Sequence, residues 1–189
     1  MSSSLIEKLC HVQHSQLLVI DIQERLASAM PDEVVEKIVT NTQVLLTAAN
    51  ELNVPIVHSE QYPKGLGNTV TAIAEHFPED TAVTKTSFSC SDADGFNDLI
   101  ATQKRQQIII TGMESHVCVL QTALQLKQKG YTVFVVEDAV CSRKKFSHKN
   151  AIKRLRQSGI IVTNVESVLF EWLRDAAHPK FKTLSQLIK

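Results

Sequence analysis

The sequence predicts an α/β fold: a parallel β-sheet covered by helices on both faces, in three α/β/α layers. Three observations predict it. Six short apolar runs, most of them rich in β-branched residues, recur along the chain. Amphipathic segments of helical period separate several of them. Residue types that carry chemistry sit just past the runs, where open α/β sheets bind ligands. Unbroken apolar runs, in place of alternating ones, belong to strands buried on both sides.

The first run, residues 17–20, ends at Asp21. Residues 32–52 then place Val34, Val35, Ile38, Val39, Leu45, Leu46, Ala49 and Leu52 at helical spacing. The second run, 54–57, carries Pro55 near its start, a position strands tolerate. Residues 60–80 form the longest irregular stretch, and long loops in compact domains are often functional. A weak third run, 82–83, leads to Lys85. The fourth, 108–110, ends at Thr111 and Gly112. Residues 118–128 read as a helix stopped by Gly130. The fifth run is 131–136. A helix over 147–158 starts on Ser147 as N-cap and stops at Gly159. The sixth run is 160–163, and Phe170 and Trp172 in a late apolar helix read as core or subunit interface.

Composition narrows the function. The 189 residues suit one domain, 1–189; 43% are hydrophobic and 21% charged, which excludes global disorder. Twenty basic residues balance twenty acidic ones, so the charge favours neither a nucleic acid nor a membrane surface as partner and eases self-association. Residues 139–165 hold no acid and seven Lys or Arg, which read first as a solvated helix face. Cys10, Cys90, Cys118 and Cys141 form no C-x-x-C pair, so zinc and dithiol motifs are absent. No secretory or transit signal and no membrane-spanning run is legible, which points to a reducing, cytoplasmic setting, with an organelle also open. Neither a dinucleotide fingerprint nor a P-loop occurs.

Three residues stand out. Cys118 opens a predicted helix, where the macrodipole favours a thiolate and free N–H groups can hold an oxyanion. A small buried thiol is the alternative. Asp21 reads as a turn or capping residue or as a general base. Lys85 reads as a surface lysine or as a cation beside a thiolate. Position leaves each pair of readings open.

Taken together, Asp21 in Leu-Leu-Val-Ile-Asp-Ile-Gln, Lys85 in Thr-Lys-Thr-Ser-Phe-Ser and Cys118 in Thr-Gly-Met-Glu-Ser-His-Val-Cys-Val-Leu-Gln-Thr-Ala resemble the isochorismatase-like cysteine hydrolases. Residues 137–143 resemble that family's fifth strand and its turn, and residues 60–67 its subgroup of small isochorismatase-domain proteins. The resemblance spans about residues 13–175. It implies a Rossmann-like sheet of six parallel strands ordered 3-2-1-4-5-6. It implies a triad in which Asp21 takes the thiol proton, Lys85 holds the thiolate and Cys118 attacks a small amide-type substrate through a thioester-type intermediate. It implies a cis peptide between Met113 and Glu114, and an oxyanion hole from the Glu114 and Cys118 amides. Gln23, Tyr62 and Phe88 are expected at the substrate pocket. No cofactor is implied. Nicotinamidases of this superfamily carry a metal-binding Asp-x-His; here the stretch reads Ile56-Val-His58, so no metal is expected and His58 reads as structural. Cys90 reads as an inert thiol. The family commonly forms dimers or larger assemblies, so a homo-oligomer is expected. The competing functions are a non-catalytic binding or scaffold protein on the same fold, and an RNA-processing protein using the basic stretch 143–156.

Overall fold

The computed structural model describes residues 8–78 and 81–188. Its strands are β1 (Ser15–Ile20), β2 (Ile56–Gln61), β3 (Val83–Lys85), β4 (Gln107–Met113), β5 (Thr132–Cys141) and β6 (Ile161–Thr163). They form one sheet in the order β3-β2-β1-β4-β5-β6, with every neighbouring pair parallel. The helices are α1 (Glu24–Ala27), α2 (Asp32–Glu51), α3 (Pro63–Leu66), α4 (Thr71–Ala74), α5 (Phe96–Thr102), α6 (Leu120–Gln128), α7 (Lys145–Gln157), α8 (Val165–Leu173) and α9 (Phe181–Leu184). The class and strand order are those expected.

All six residues of β1 are buried, as the unbroken apolar run requires. Successive side chains alternate between two cores. Leu17 and Val19 pack with Ile38, Leu45 and Leu46 of α2 and with Leu169 and Trp172 of α8. Leu18 and Ile20 pack on the other face with Phe96, Leu126 and Leu155, from α5, α6 and α7. Each such aliphatic side chain contributes roughly 1.5–3 kcal/mol when fully buried. Trp172, expected in core or interface, lies in the first core and donates its indole N–H to Ser15 Oγ at 2.9 Å. Phe170 is partly exposed.

Two elements depart from the sequence reading. β5 runs on through Glu137 and Asp138 to Cys141, past the expected stop at residue 136. Polar residues survive inside it because their groups find partners. The Asp138 carboxylate accepts from the Val165 N–H at 3.0 Å, and its carbonyl accepts from Asn41 Nδ2 at 2.7 Å. α7 begins at Lys145 with Lys144 as cap, so Ser147 lies in the first turn and does not cap it. The chain is turned earlier because the Arg143 amide and side chain both bind the Glu114 carboxylate.

β1 has β2 on one side and β4 on the other, so it sits where the strand order reverses. Gly112 pairs with Ile20 in that register and has φ +117°. A Cβ there would strike the Ile20 carbonyl. This close approach at the carboxyl end of the sheet sets the spacing between the two strands that flank the site. Gly112→Ala combines that clash with a disallowed φ and is expected to cost roughly 2–4 kcal/mol. Denaturant unfolding checks it; an unchanged midpoint would refute this role for Gly112.

Candidate active site

Asp21 is the first residue past β1. It has φ +50°, a conformation Asp tolerates better than most side chains. Its amide donates to the Ser59 carbonyl at 3.1 Å, and its carboxylate is fully buried. Lys85 ends β3, two strands away, a gap of about 10 Å at normal strand spacing. The small side chain of Ser59, on β2 between them, leaves the path open. Lys85 Nζ reaches Asp21 Oδ2 at 2.7 Å, with both side chains wholly shielded from solvent. The surface reading of Lys85 is therefore excluded. Ser59 Oγ donates to the other oxygen, Asp21 Oδ1, at 2.7 Å. Lys85 Nζ also donates to Gln61 Oε1 at 2.7 Å and to the Phe88 carbonyl at 3.2 Å. The ammonium thus finds partners for all its protons, which burial of a charge demands. Burial alone would push Lys85 below its ordinary value, but the charge of Asp21 opposes it and the net direction is up.

Cys118 lies on a π turn, Ser115–Val119, that runs into α6. The sequence placed it at a helix start; it sits one turn inside, behind Glu114 as cap. The peptide between Met113 and Glu114 is cis, as expected. The Glu114 carbonyl accepts from the Val117 and Val119 amides at 3.0 and 3.3 Å and passes over the Cys118 amide between them. The Glu114 N–H forms no hydrogen bond among the described residues. Both amides named for the oxyanion hole thus stand outside those bonds. The thiol departs from expectation: burial first, then the negative charge of Asp21, push it up, and Lys85 only partly offsets them. The direction favours the neutral thiol over the thiolate. Desolvation acts against the helix dipole here.

The pocket residues fare unequally. Tyr62 and Phe88 are 54% and 56% exposed. Tyr62 lines a cavity of about 570 Å³ with Lys64, Lys85, Ser87, Asp92 and Asp94. Phe88 contributes its carbonyl to Lys85 instead. Gln23, by contrast, is fully buried. Its Oε1 accepts from the Gln61 amide at 2.7 Å, and its Nε2 donates to the Gln61 and Gly67 carbonyls at 3.0 and 2.7 Å. It is a brace for the end of β2. His58 stacks on Phe77 at 3.8 Å between ring centroids, a structural role. Among the described residues no three His, Cys, Asp or Glu gather as a metal site.

Sequence reasoning marked Ser59 as a place for a small residue but missed its hydrogen bond to Asp21, and it missed Gln61, which holds Lys85. Their only signal was position at the carboxyl end of β2. It also missed two clasps on the turn that carries Cys118: Ser115 Oγ with His148 Nδ1, and His116 Nδ1 with Ser142 Oγ, both at 2.9 Å.

Lys85→Met would leave the Asp21 carboxylate buried with Ser59 as its side-chain partner, which is expected to cost about 3–5 kcal/mol. The sign with pH follows from the upward shift of Lys85. Its contribution is complete below the ordinary value of 10.5 and is lost as pH rises through the higher folded value. The stability gap between wild type and Lys85→Met should therefore narrow in strongly alkaline solution. Denaturant midpoints at neutral and alkaline pH check this, and a constant gap would contradict it.

Comparison with known proteins extends this geometry. Residues 15–167 match the Isochorismatase domain model. The chain is 38% identical over 186 residues to the secreted isochorismatase effector Isc1 of Phytophthora sojae, covering 94% of this chain and 86% of that one. It is 37% identical over 174 residues to isochorismatase domain-containing protein 2 of Xenopus laevis, covering 92% and 83%. The structure titled MAR1 ribonuclease from Caenorhabditis elegans superposes with a TM-score of 0.87 at 38% identity, covering 95% and 92%. The YcaC gene product of Escherichia coli, described as an octameric hydrolase of unknown specificity, shares the fold with a TM-score of 0.90 at 24% identity, covering 100% and 91%. On the domain match and on these relatives, the chain belongs to the isochorismatase domain family.

Proposed function

We propose that this protein is a thiol hydrolase that cleaves the C–N bond of a small amide-type molecule, with Asp21, Lys85 and Cys118 as its triad. Family membership supports a hydrolase. The observation that carries the finer reading is the buried Lys85–Asp21 pair, whose charges act on the Cys118 thiol. A scaffold protein has no use for an ion pair and a thiol buried together at the strand ends.

Cys118 carries its proton at rest, so attack is coupled to proton transfer. The thiol proton moves to Asp21 as the sulfur bonds the substrate's carbonyl carbon. The carbonyl oxygen takes up the electron pair and is held by the Glu114 and Cys118 amides. Collapse of that adduct breaks the C–N bond, and Asp21 returns the proton to the departing nitrogen. Water then attacks the thioester, giving a proton to Asp21. The acid leaves, and Cys118 regains its proton. Lys85 holds the Asp21 carboxylate in place between these steps and takes no proton itself.

A panel of small amides, ureides and isochorismate tests this. Cys118→Ala is expected to lower turnover at least about a thousand-fold. Intact turnover by the variant would refute the nucleophile. A second reading rests on two observations: the exposed basic residues of α7, and the ribonuclease title of the 38% identical neighbour. It predicts salt-sensitive RNA binding, lost when Lys149, Lys153 and Arg154 are replaced by Ala.

We further propose that the chain self-associates and works in a reducing compartment. Tyr62, Phe88 and Phe146 expose aromatic surface, and all four cysteines are free and buried. Light scattering should give a mass above the monomer at micromolar concentration; a monomer would count against assembly. No described helix is long and apolar enough to cross a membrane.

A further inference from the structure

Cys90 sits beside the triad without a part in it. It is fully buried at the start of a short 3₁₀ turn, Cys90–Asp92, whose cap is Ser89. Its amide donates to Thr122 Oγ1 at 2.9 Å, which ties it to α6 just past the nucleophile. Its sulfur lies 3.4 Å from Ser59 Oγ, and Ser59 Oγ lies 2.7 Å from Asp21 Oδ1.

The direction of these bonds is determined. An ionised carboxylate only accepts, so Ser59 must donate its single proton to Asp21. The Ser59 oxygen can then only accept, so the thiol must be the donor in the second bond. We propose that Cys90 and Ser59 form a hydrogen-bond relay, Cys90 Sγ–H to Ser59 Oγ–H to Asp21 Oδ1, that aims the Asp21 carboxylate at the Cys118 thiol. Ser59 and Cys90 are thus positioning residues, acting through Asp21. Burial and the charge of Asp21 push the Cys90 thiol up to about 11, so it keeps its proton through the working pH range. The second thiol is therefore a fixed donor and no rival nucleophile.

The geometry explains why two donors are needed on Asp21. Lys85 occupies Oδ2 but is itself shared with Gln61 and the Phe88 carbonyl. One bond to one oxygen leaves the carboxylate free to turn about its side-chain axis. A second donor on Oδ1 removes that freedom. Ser59 alone could swing its hydroxyl to another acceptor; the Cys90 S–H occupies its lone pair and holds the rotor.

The relay rests on the triad reading, and the experiment separates the two. The rate of Cys118 alkylation by iodoacetamide, followed by peptide mass spectrometry, is measured against pH for wild type, Ser59→Ala, Cys90→Ala, Cys90→Ser and Asp21→Asn. Ser59→Ala is expected to slow alkylation about ten-fold near neutrality and to move the acid limb up by about one pH unit, as loss of a charge-assisted hydrogen bond should. Cys90→Ala should slow it about three-fold, and Cys90→Ser, which restores an O–H donor, should return it to wild type. A purely packing role for Cys90 would not be rescued by its smaller polar isostere. The relay is overturned if Ser59→Ala keeps the wild-type profile while Asp21→Asn abolishes it. If Asp21→Asn also keeps that profile, the triad itself is wrong and the relay falls with it. Should Ser59→Ala fail to fold, as seen by circular dichroism, the two Cys90 variants decide the matter, since equal rates for both would refute the relay.

Discussion

The ion pair between Lys85 and Asp21 is the constraint around which the carboxyl end of the sheet is arranged. Two charges without access to water are tolerable only if every lone pair and proton is used. That requirement recruits Ser59 and Gln61 from β2 and the Phe88 carbonyl from the loop beyond β3. It also demands a small side chain on the strand between the partners. The sheet order makes the pair possible by putting β3 two positions from β1, and the pair in turn locks the edge strand to the centre. Fold and site are thus one electrostatic problem with one solution.

Cys118 is governed by the opposite force. Burial and the neighbouring carboxylate favour the neutral thiol, and Lys85 offsets them only in part. In the proposed mechanism a base is therefore indispensable, because the sulfur must lose its proton during attack. A reactive cysteine need not have a depressed pKa if an ionised base already stands beside it and the transfer is short. Lys85 supports this indirectly, by holding the Asp21 carboxylate in place.

Much of this was legible in the chain. Continuous β-branched runs identify strands buried on two faces, and the residues just past runs one, three and four are the ones that converge. Strand order and the cis peptide came from the resemblance, since no local pattern encodes either. The bracing bonds of Gln23 were not legible, because an amide near a strand end looks the same whether it faces ligand or braces a loop. The far end of β5 was missed because Glu137 and Asp138 break the apolar pattern, and only tertiary partners reveal how they are satisfied. Gln61 and the hydrogen bond of Ser59 stayed hidden for a related reason: a serine or glutamine gains meaning from what lies across the sheet.

Consider again the turn after β2. Its first residue, Tyr62, is hung from the Lys85 carbonyl by its amide at 2.8 Å. Gln23 grips the strand before it and Gly67 after it, and Glu60 holds Thr69 through amide and hydroxyl at 2.7 and 2.8 Å. Both feet are pinned by groups outside the turn, while its crown, Tyr62 and Lys64, faces the cavity. Changes at the crown leave the anchors in place and so need not disturb the reacting groups. On the proposed function, a lineage carrying this scaffold can exchange one ligand for another there without first rebuilding its chemistry.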